Sequence, residues 1–223
     1  MRDDLLDQHL FPVRPDFTAE QQAINRREWL EDLWHRQLSN PDTYMLKAVP
    51  TSLAPRAQND AENCEIIAFA CWVYDPREAN ETAGENHRAA SSDSKRAPGV
   101  VEDALGVAVP KGMSSTLFRS CTTQLEAIKS AALQRFQNCD VYHLTMLATH
   151  PCHLRQGIAS RLFQWGIDRA DAEGAVIYLE ATDVGLGLYQ GWGSEIIESG
   201  RVELEGGGKR VCMVRRPRES WEI

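Results

Sequence analysis

One segment, Leu144–Phe163 (LTMLATHPCHLRQGIASRLF), dictates more about the architecture than any other part of the chain. It reads as a strand that stops at Pro151, turns through Arg155-Gln156-Gly157 and opens a helix. The first turn of a helix has backbone N–H groups without intrahelical partners, and its end of the helix dipole is positive. A phosphate can be held there by main chain alone, and Gly157 lets such a ligand approach closely.

A chain of 223 residues, 43% hydrophobic, can bury a substantial core, and its length fits a single domain over 1–223 with decoration. The formal net charge of -8 argues against a nucleic-acid partner and favours a cationic or neutral small molecule. No apolar run approaches the roughly 18 residues of a membrane span, so no membrane partner and a soluble, cytoplasmic protein are expected. Cysteines 64, 71, 121, 139, 152 and 212 are scattered without a C-x-x-C pair. They read as reduced thiols, with neither a metal site nor a disulfide framework.

Thr18 followed by Gln21 is a capping-box pattern, and Ile24, Leu30, Leu33, Trp34 and Leu38 then recur at near-helical spacing, which predicts an amphipathic helix over 17–38. Tyr44–Val49 and Glu65–Tyr74 are β-branched and aromatic runs that read as two strands joined by a polar loop. No Phe, Trp or Tyr occurs between Asp75 and Leu117, and the polar run from Asn80 to Pro98 cannot bury enough apolar surface to offset ordering. A mobile insertion over 76–112 is expected.

Phe118, Cys121, Leu125, Ile128, Ala132 and Phe136 predict a second helix running to about Asn138. After it come the strand from Val141, a helix from Gln156 to Ala172, a strand over Ala175–Ala181 and a short helix over Val184–Gln190. Two closing strands near Ile196–Leu204 and Val211–Val214 flank a turn at Gly206-Gly207-Gly208. The fold class is α/β (α+β): a mixed, mostly antiparallel central sheet flanked by helices, with one βαβ crossover at the Gly157 loop.

Pro151-Cys-His-Leu-Arg-Gln-Gly-Ile-Ala159 resembles the phosphate loop of the GNAT superfamily, the acetyl-CoA-dependent N-acetyltransferases, which reads Gln/Arg-x-x-Gly-x-Gly/Ala shortly after a proline. Pro151, Gly157 and Ala159 fit that pattern; Leu154 stands where Gln or Arg is usual. Tyr178-Leu-Glu-Ala181 and Leu186-Gly-Leu-Tyr-Gln-Gly-Trp-Gly193 are similar to the family's next strand and its tyrosine-bearing helix. The resemblance covers roughly residues 141–205 and implies a GNAT-like fold with acetyl-CoA (coenzyme A) as cosubstrate. It implies that main chain at Leu147, Ala148 and Thr149 meets the pantetheine arm, while Leu154, Arg155, Gln156, Gly157, Ile158, Ala159 and Ser160 surround the diphosphate. The family opens with a strand and a helical pair, whereas this chain begins near the end of that first helix, around Leu5-Leu6 and Phe11-Pro12, so the first strand is expected to be missing.

An amine acceptor arrives protonated, with a pKa near the ~10.4 of Lys, and must lose a proton before its nitrogen attacks a thioester. The departing thiolate must regain one. Tyr189 sits where the resemblance places the general acid, although a tyrosine in an apolar helical face also serves as core. For the base, His143 matches the first of two histidines in the arylalkylamine acetyltransferase branch, with Thr145 at the second. Period-two alternation puts His143 on one face with Thr145, Leu147 and Thr149. Glu180 and Glu65 are rival bases, able to act through water when a cleft raises a carboxyl pKa.

Cys152, with His150 and His153 nearby, offers an acyl-cysteine alternative. Ser160 either donates to phosphate or caps the turn, Trp165 and Trp192 wall the cleft or fill core, and Arg215-Arg-Pro-Arg218 reads as a solvated basic tail or a partner contact. The function read from these residues is transfer of acetyl from acetyl-CoA to a small primary amine by a monomer or homodimer. The alternatives are a non-catalytic acyl-CoA-binding module and a peptide N-acetyltransferase.

Overall fold

Thr18 supplies the first helix with its predicted cap, its Oγ1 accepting from the Gln21 amide at 3.1 Å, and helix α1 runs over Ala19–Ser39. The computed structural model describes residues 16–51, 65–76, 112–203 and 208–218. The opening segment around Leu5–Phe11, the loop between the first two strands, the insertion apart from its ends, and Gly206-Gly207 lie outside the described residues. After α1 come β1 (Thr43–Ala48), β2 (Ala68–Asp75), α2 (Ser115–Leu133), β3 (Val141–Thr149), α3 (Ile158–Glu173), β4 (Val176–Ala181), α4 (Leu186–Gly191), β5 (Glu195–Glu203) and β6 (Lys209–Arg215). The described strands form one six-stranded sheet in the order β1-β2-β3-β4-β6-β5.

All neighbouring strands pair antiparallel except β3 and β4, which run parallel and are joined by α3. This is the expected single βαβ crossover. Helix α2 starts earlier than its apolar spacing suggests because Ser114 caps it, its Oγ accepting from the Leu117 amide at 3.4 Å. It ends at Leu133 and tightens into a 3-10 turn over Gln134–Phe136. Helix α3 ends at Gly174, whose φ of +68° is the left-handed conformation that closes a helix.

The two faces of the sheet are covered by different helices. Helices α3 and α4 bring Phe163, Ile167, Ala170 and Tyr189 onto Ala70, Trp72, Tyr142, Leu144, Ile177 and Met213. Helix α2 brings Leu117, Cys121 and Leu133 onto Val141, Val176, Tyr178, Cys212 and Val214. Helix α1 lies against the α2 face, with Trp29 edge-on to Phe118 at 6.3 Å and Trp34 edge-on to Phe69 at 5.4 Å. Trp72 and Phe163 are fully buried and stacked at 5.7 Å, each worth about 1.5–3 kcal/mol of transfer free energy. Gly166 makes that stack possible: a Cβ there would lie 2.3 Å from the Trp72 ring.

Two irregularities shape the sheet. Cys71 pairs with Met146 while Trp72 pairs with Leu144, so Thr145 is an extra residue on β3, and its Oγ1 donates to the Cys71 carbonyl at 3.2 Å. An inserted residue reverses the alternation beyond it. The placement of His143, Thr145, Leu147 and Thr149 on one face is therefore overturned: Leu147 packs into the α3-side cluster with Tyr142 and Leu144. On β5, Ile196 pairs with Met213 and Arg201 with Val211, so five residues on β5 span two on β6.

Candidate active site

Strands β3 and β4 pair only from Val141 with Val176 to Leu144 with Leu179. Beyond Leu144 the inner edge of β3 has no strand beside it, because Met146–Thr149 pair only with β2 and the end of β4 pairs with β6. The bulge at Thr145 sits at this fork and increases the local twist that parts the strands. The region Leu147–Thr149 thus offers main-chain groups to whatever enters the fork.

The chain leaves β3 through His150, whose Nδ1 accepts from the Cys152 amide at 3.3 Å and caps a 3-10 turn over Pro151–His153. Arg155 then adopts φ +63° and Gly157 φ +76°. Two left-handed residues cannot belong to a right-handed helix, so α3 begins at Ile158 rather than at Gln156. Gly157 is the N-cap and no side chain caps it, which excludes the capping role for Ser160. A Cβ on Gly157 would meet nothing within 4 Å, so the space before the helix is open. The amides of Ile158, Ala159 and Ser160 point into that space as the first turn of an α-helix requires.

On the α2 face, below the fork, His143 Nε2 lies 3.4 Å from Glu180 Oε2, with the two side chains 15% and 20% exposed. Both are shielded yet reachable. The His143 ring also meets Tyr178 edge-on at 5.2 Å. Burial pushes the Glu180 carboxyl up, but His143, then Tyr178 and Lys129, outweigh it and hold the carboxyl below the usual range. Glu180 is therefore an ionised acceptor for the imidazole N–H and a weak proton acceptor in its own right. The Tyr178 hydroxyl is buried without a hydrogen-bond partner, and burial, followed by the nearby charge of Glu180, raises its pKa far above the ordinary phenol value.

Tyr189 lies on the opposite face, 8% exposed, with its ring edge-on to Phe163 at 5.1 Å. Burial pushes its hydroxyl up to about 12. Its helix is short and begins where the Gly185 and Leu186 amides donate to the Thr182 carbonyl at 3.0 and 3.1 Å.

Residues 130–193, which span the end of α2, the fork, the Gly157 corner and α4, match the Acetyltransferase (GNAT) family. Over that stretch the chain is similar to this family. No relative among the curated proteins matches it. Among solved structures, the chain is similar to Arabidopsis thaliana NAA60 in complex with a bisubstrate analogue, at 13% identity, 94% of this chain, 97% of that chain and a TM-score of 0.48. It is similar to the histone acetyltransferase HPA2 and related acetyltransferase of Corynebacterium glutamicum at 18% identity, 97% and 91% of the two chains and a TM-score of 0.48. It is similar also to FeeM, an N-acyl amino acid synthase from uncultured soil microbes, at 10% identity, 93% and 88% coverage and a TM-score of 0.47.

Other residues singled out in the sequence fall away from the centre of the fork. Glu65 is exposed and precedes β2 by three residues, outside the His143–Glu180 pair. Cys152 is exposed, and His150 is engaged by its backbone amide rather than by its thiol. Trp165 packs against Tyr44 at 5.4 Å beneath the Arg169 guanidinium, and Trp192 packs against the α3-side core. Arg215 is no solvated tail: it is 3% exposed and bidentate to Asp171 at 2.7 and 2.8 Å. Among the described residues no group of His, Cys, Asp and Glu could hold a metal, and no helix is long and apolar enough to cross a membrane.

Proposed function

We propose that the protein is an acetyl-CoA-dependent N-acetyltransferase in which a primary amine attacks the thioester directly. The observation that carries this reading is the fork itself: an unpaired β3 edge that leads to an uncapped helix start, with a His–carboxylate pair just below it. The corner suits a diphosphate, since no side chain fills the N-cap and the space at Gly157 is open. Amides from Gly157 to Ser160 would hold the diphosphate, with Arg155 and Gln156 alongside and Leu154 exposed at the lip. Main chain at Leu147, Ala148 and Thr149 would hold the pantetheine arm. Bound acetyl-CoA supplies the acetyl thioester.

An ammonium acceptor sheds two protons in becoming an amide. One leaves to solvent through His143, whose imidazolium the ionised Glu180 stabilises and orients. The other ends on the coenzyme A sulfur, delivered by Tyr189. Glu180 acts as the partner of the base rather than as the base. Its negative charge, within a chain of net charge -8, draws a small cationic amine toward the fork. The reading carries a cytoplasmic location with it, in keeping with free cysteines at 71, 121, 139, 152 and 212.

Incubation with acetyl-CoA and a panel of small amines and N-terminal peptides, with products read by mass spectrometry, tests this. Acetylation of a small amine is the expected result. Tight coenzyme A binding without transfer to any acceptor would make the protein a binding module instead, and transfer confined to peptides would overturn the choice of acceptor.

A further inference from the structure

The least exposed guanidinium described in the structure belongs to a residue that the proposed chemistry does not use. Arg215 lies at the end of β6, 3% exposed, and spends its whole fork inward. Nη1 and Nη2 donate to the two Asp171 oxygens at 2.7 and 2.8 Å, and Nε donates to the Trp192 carbonyl at 3.0 Å. Asp171 also accepts from the Arg218 amide at 2.9 Å. Three elements meet at this guanidinium: β6, the last turns of α3, and the residue that closes α4.

Both helices bear on the proposed reaction. The start of α3 is the proposed diphosphate grip, and its 16 residues make a rod of about 24 Å whose far end carries Asp171. Helix α4 carries Tyr189 and has only six residues, too few to hold a direction by its own hydrogen bonds. Its start is tied to Thr182 and its end to Tyr189 itself, through the Trp192 and Ser194 amides that donate to the Tyr189 carbonyl at 3.1 and 3.0 Å. The Trp192 carbonyl is then fixed by Arg215 Nε. Displacing that carbonyl moves the turn in which Tyr189 is embedded.

We infer that Arg215, held by Asp171, is a positioning residue that fixes Tyr189 relative to the start of α3, so that the hydroxyl meets the sulfur of a thioester gripped there. This rests on the reading of Tyr189 as the acid. A lysine at this place would keep a cation beside Asp171 but lose the fork, and with it the Nε donor to Trp192. Fold support and positioning thereby become separable.

The test compares Arg215→Lys, Arg215→Met, Tyr189→Phe and the double variants in the full chain, with melting and far-UV circular dichroism beside steady-state rates. Arg215→Lys is expected to keep most of the thermal stability and a KM for acetyl-CoA within about twofold, yet to lose kcat about tenfold. Adding it to Tyr189→Phe should cost no more than about twofold further. In a phenolate absorbance titration, the band that Tyr189→Phe removes should move down from about 12 toward the ordinary phenol value when Arg215→Met is present. Losses that multiply fully in the double variant, or an Arg215→Lys rate equal to the parent's, would overturn the positioning role while leaving the acid in place. A Tyr189→Phe variant with full kcat would instead overturn the acid assignment and this inference with it.

Discussion

Tyr189 is surrounded by apolar side chains, and burial alone pushes its ionisation up to about 12. The proton therefore stays on the oxygen through neutral and moderately alkaline pH, which suits an acid that must be loaded before each turnover. In a steady-state pH profile, kcat is expected to show no alkaline fall from this group below about pH 11. Tyr189→Phe should lower kcat by about 10²-fold at pH 8. Gly157 makes a different kind of demand, because its φ of +76° would cost a side chain about 1–2 kcal/mol although nothing is near enough to clash. Gly157→Ala is expected to lower the melting temperature by about 2–8 °C and to weaken coenzyme A binding more than that strain alone explains, both readable from melts with and without the ligand. Gly157 was legible because a glycine between a strand and a helix has few other reasons to be there. The Arg215 clamp was not: its partner Asp171 lies 44 residues earlier, and three arginines near the end of the chain read as solvated charge.

The bulge and the strand fork explain what periodicity could and could not convey about the elements. Every described strand and helix has a counterpart in the apolar spacing, since burial on one face is what the spacing records. Thr145 gave no sign of being supernumerary, because a β-branched residue fits a regular strand equally well. Deleting Thr145 should restore an unbroken ladder that keeps Leu147 opposite Ala70 in the α3-side core, so urea unfolding is expected to change little while the lost twist at the fork weakens coenzyme A binding in calorimetry. Helix α3 offers a second test. Gly166→Ala gains up to about 1 kcal/mol of helix propensity, yet the added methyl would overlap Trp72, and overpacking of that kind costs about 1–3 kcal/mol. Net destabilisation is expected in the same unfolding assay.

At the scale of the molecule, two carboxyls among the described residues tie the fold to pH. At Asp171 burial raises the pKa, but the hydrogen bonds and charges of Arg215 and Arg218 outweigh it, and at Glu180 His143, Tyr178 and Lys129 do the same. Both folded values lie below the unfolded ones, so the stability they add is complete above the ordinary carboxylate range near pH 4 and is lost as pH falls through the depressed values. Asp171→Asn is expected to remove about 3–5 kcal/mol at pH 7, since it leaves the Arg215 charge buried without its partner, and to flatten the acid side of the melting curve against pH. Strand β5 has a consequence of its own. Among the described strands it is the outermost, beside β6, and there five residues cover the span of two, so its outer rim presents donors and acceptors out of step with any regular neighbour. A stray extended peptide finds no continuous seam to zip onto there, and the sheet is guarded on that flank against recruiting further copies into a fibre.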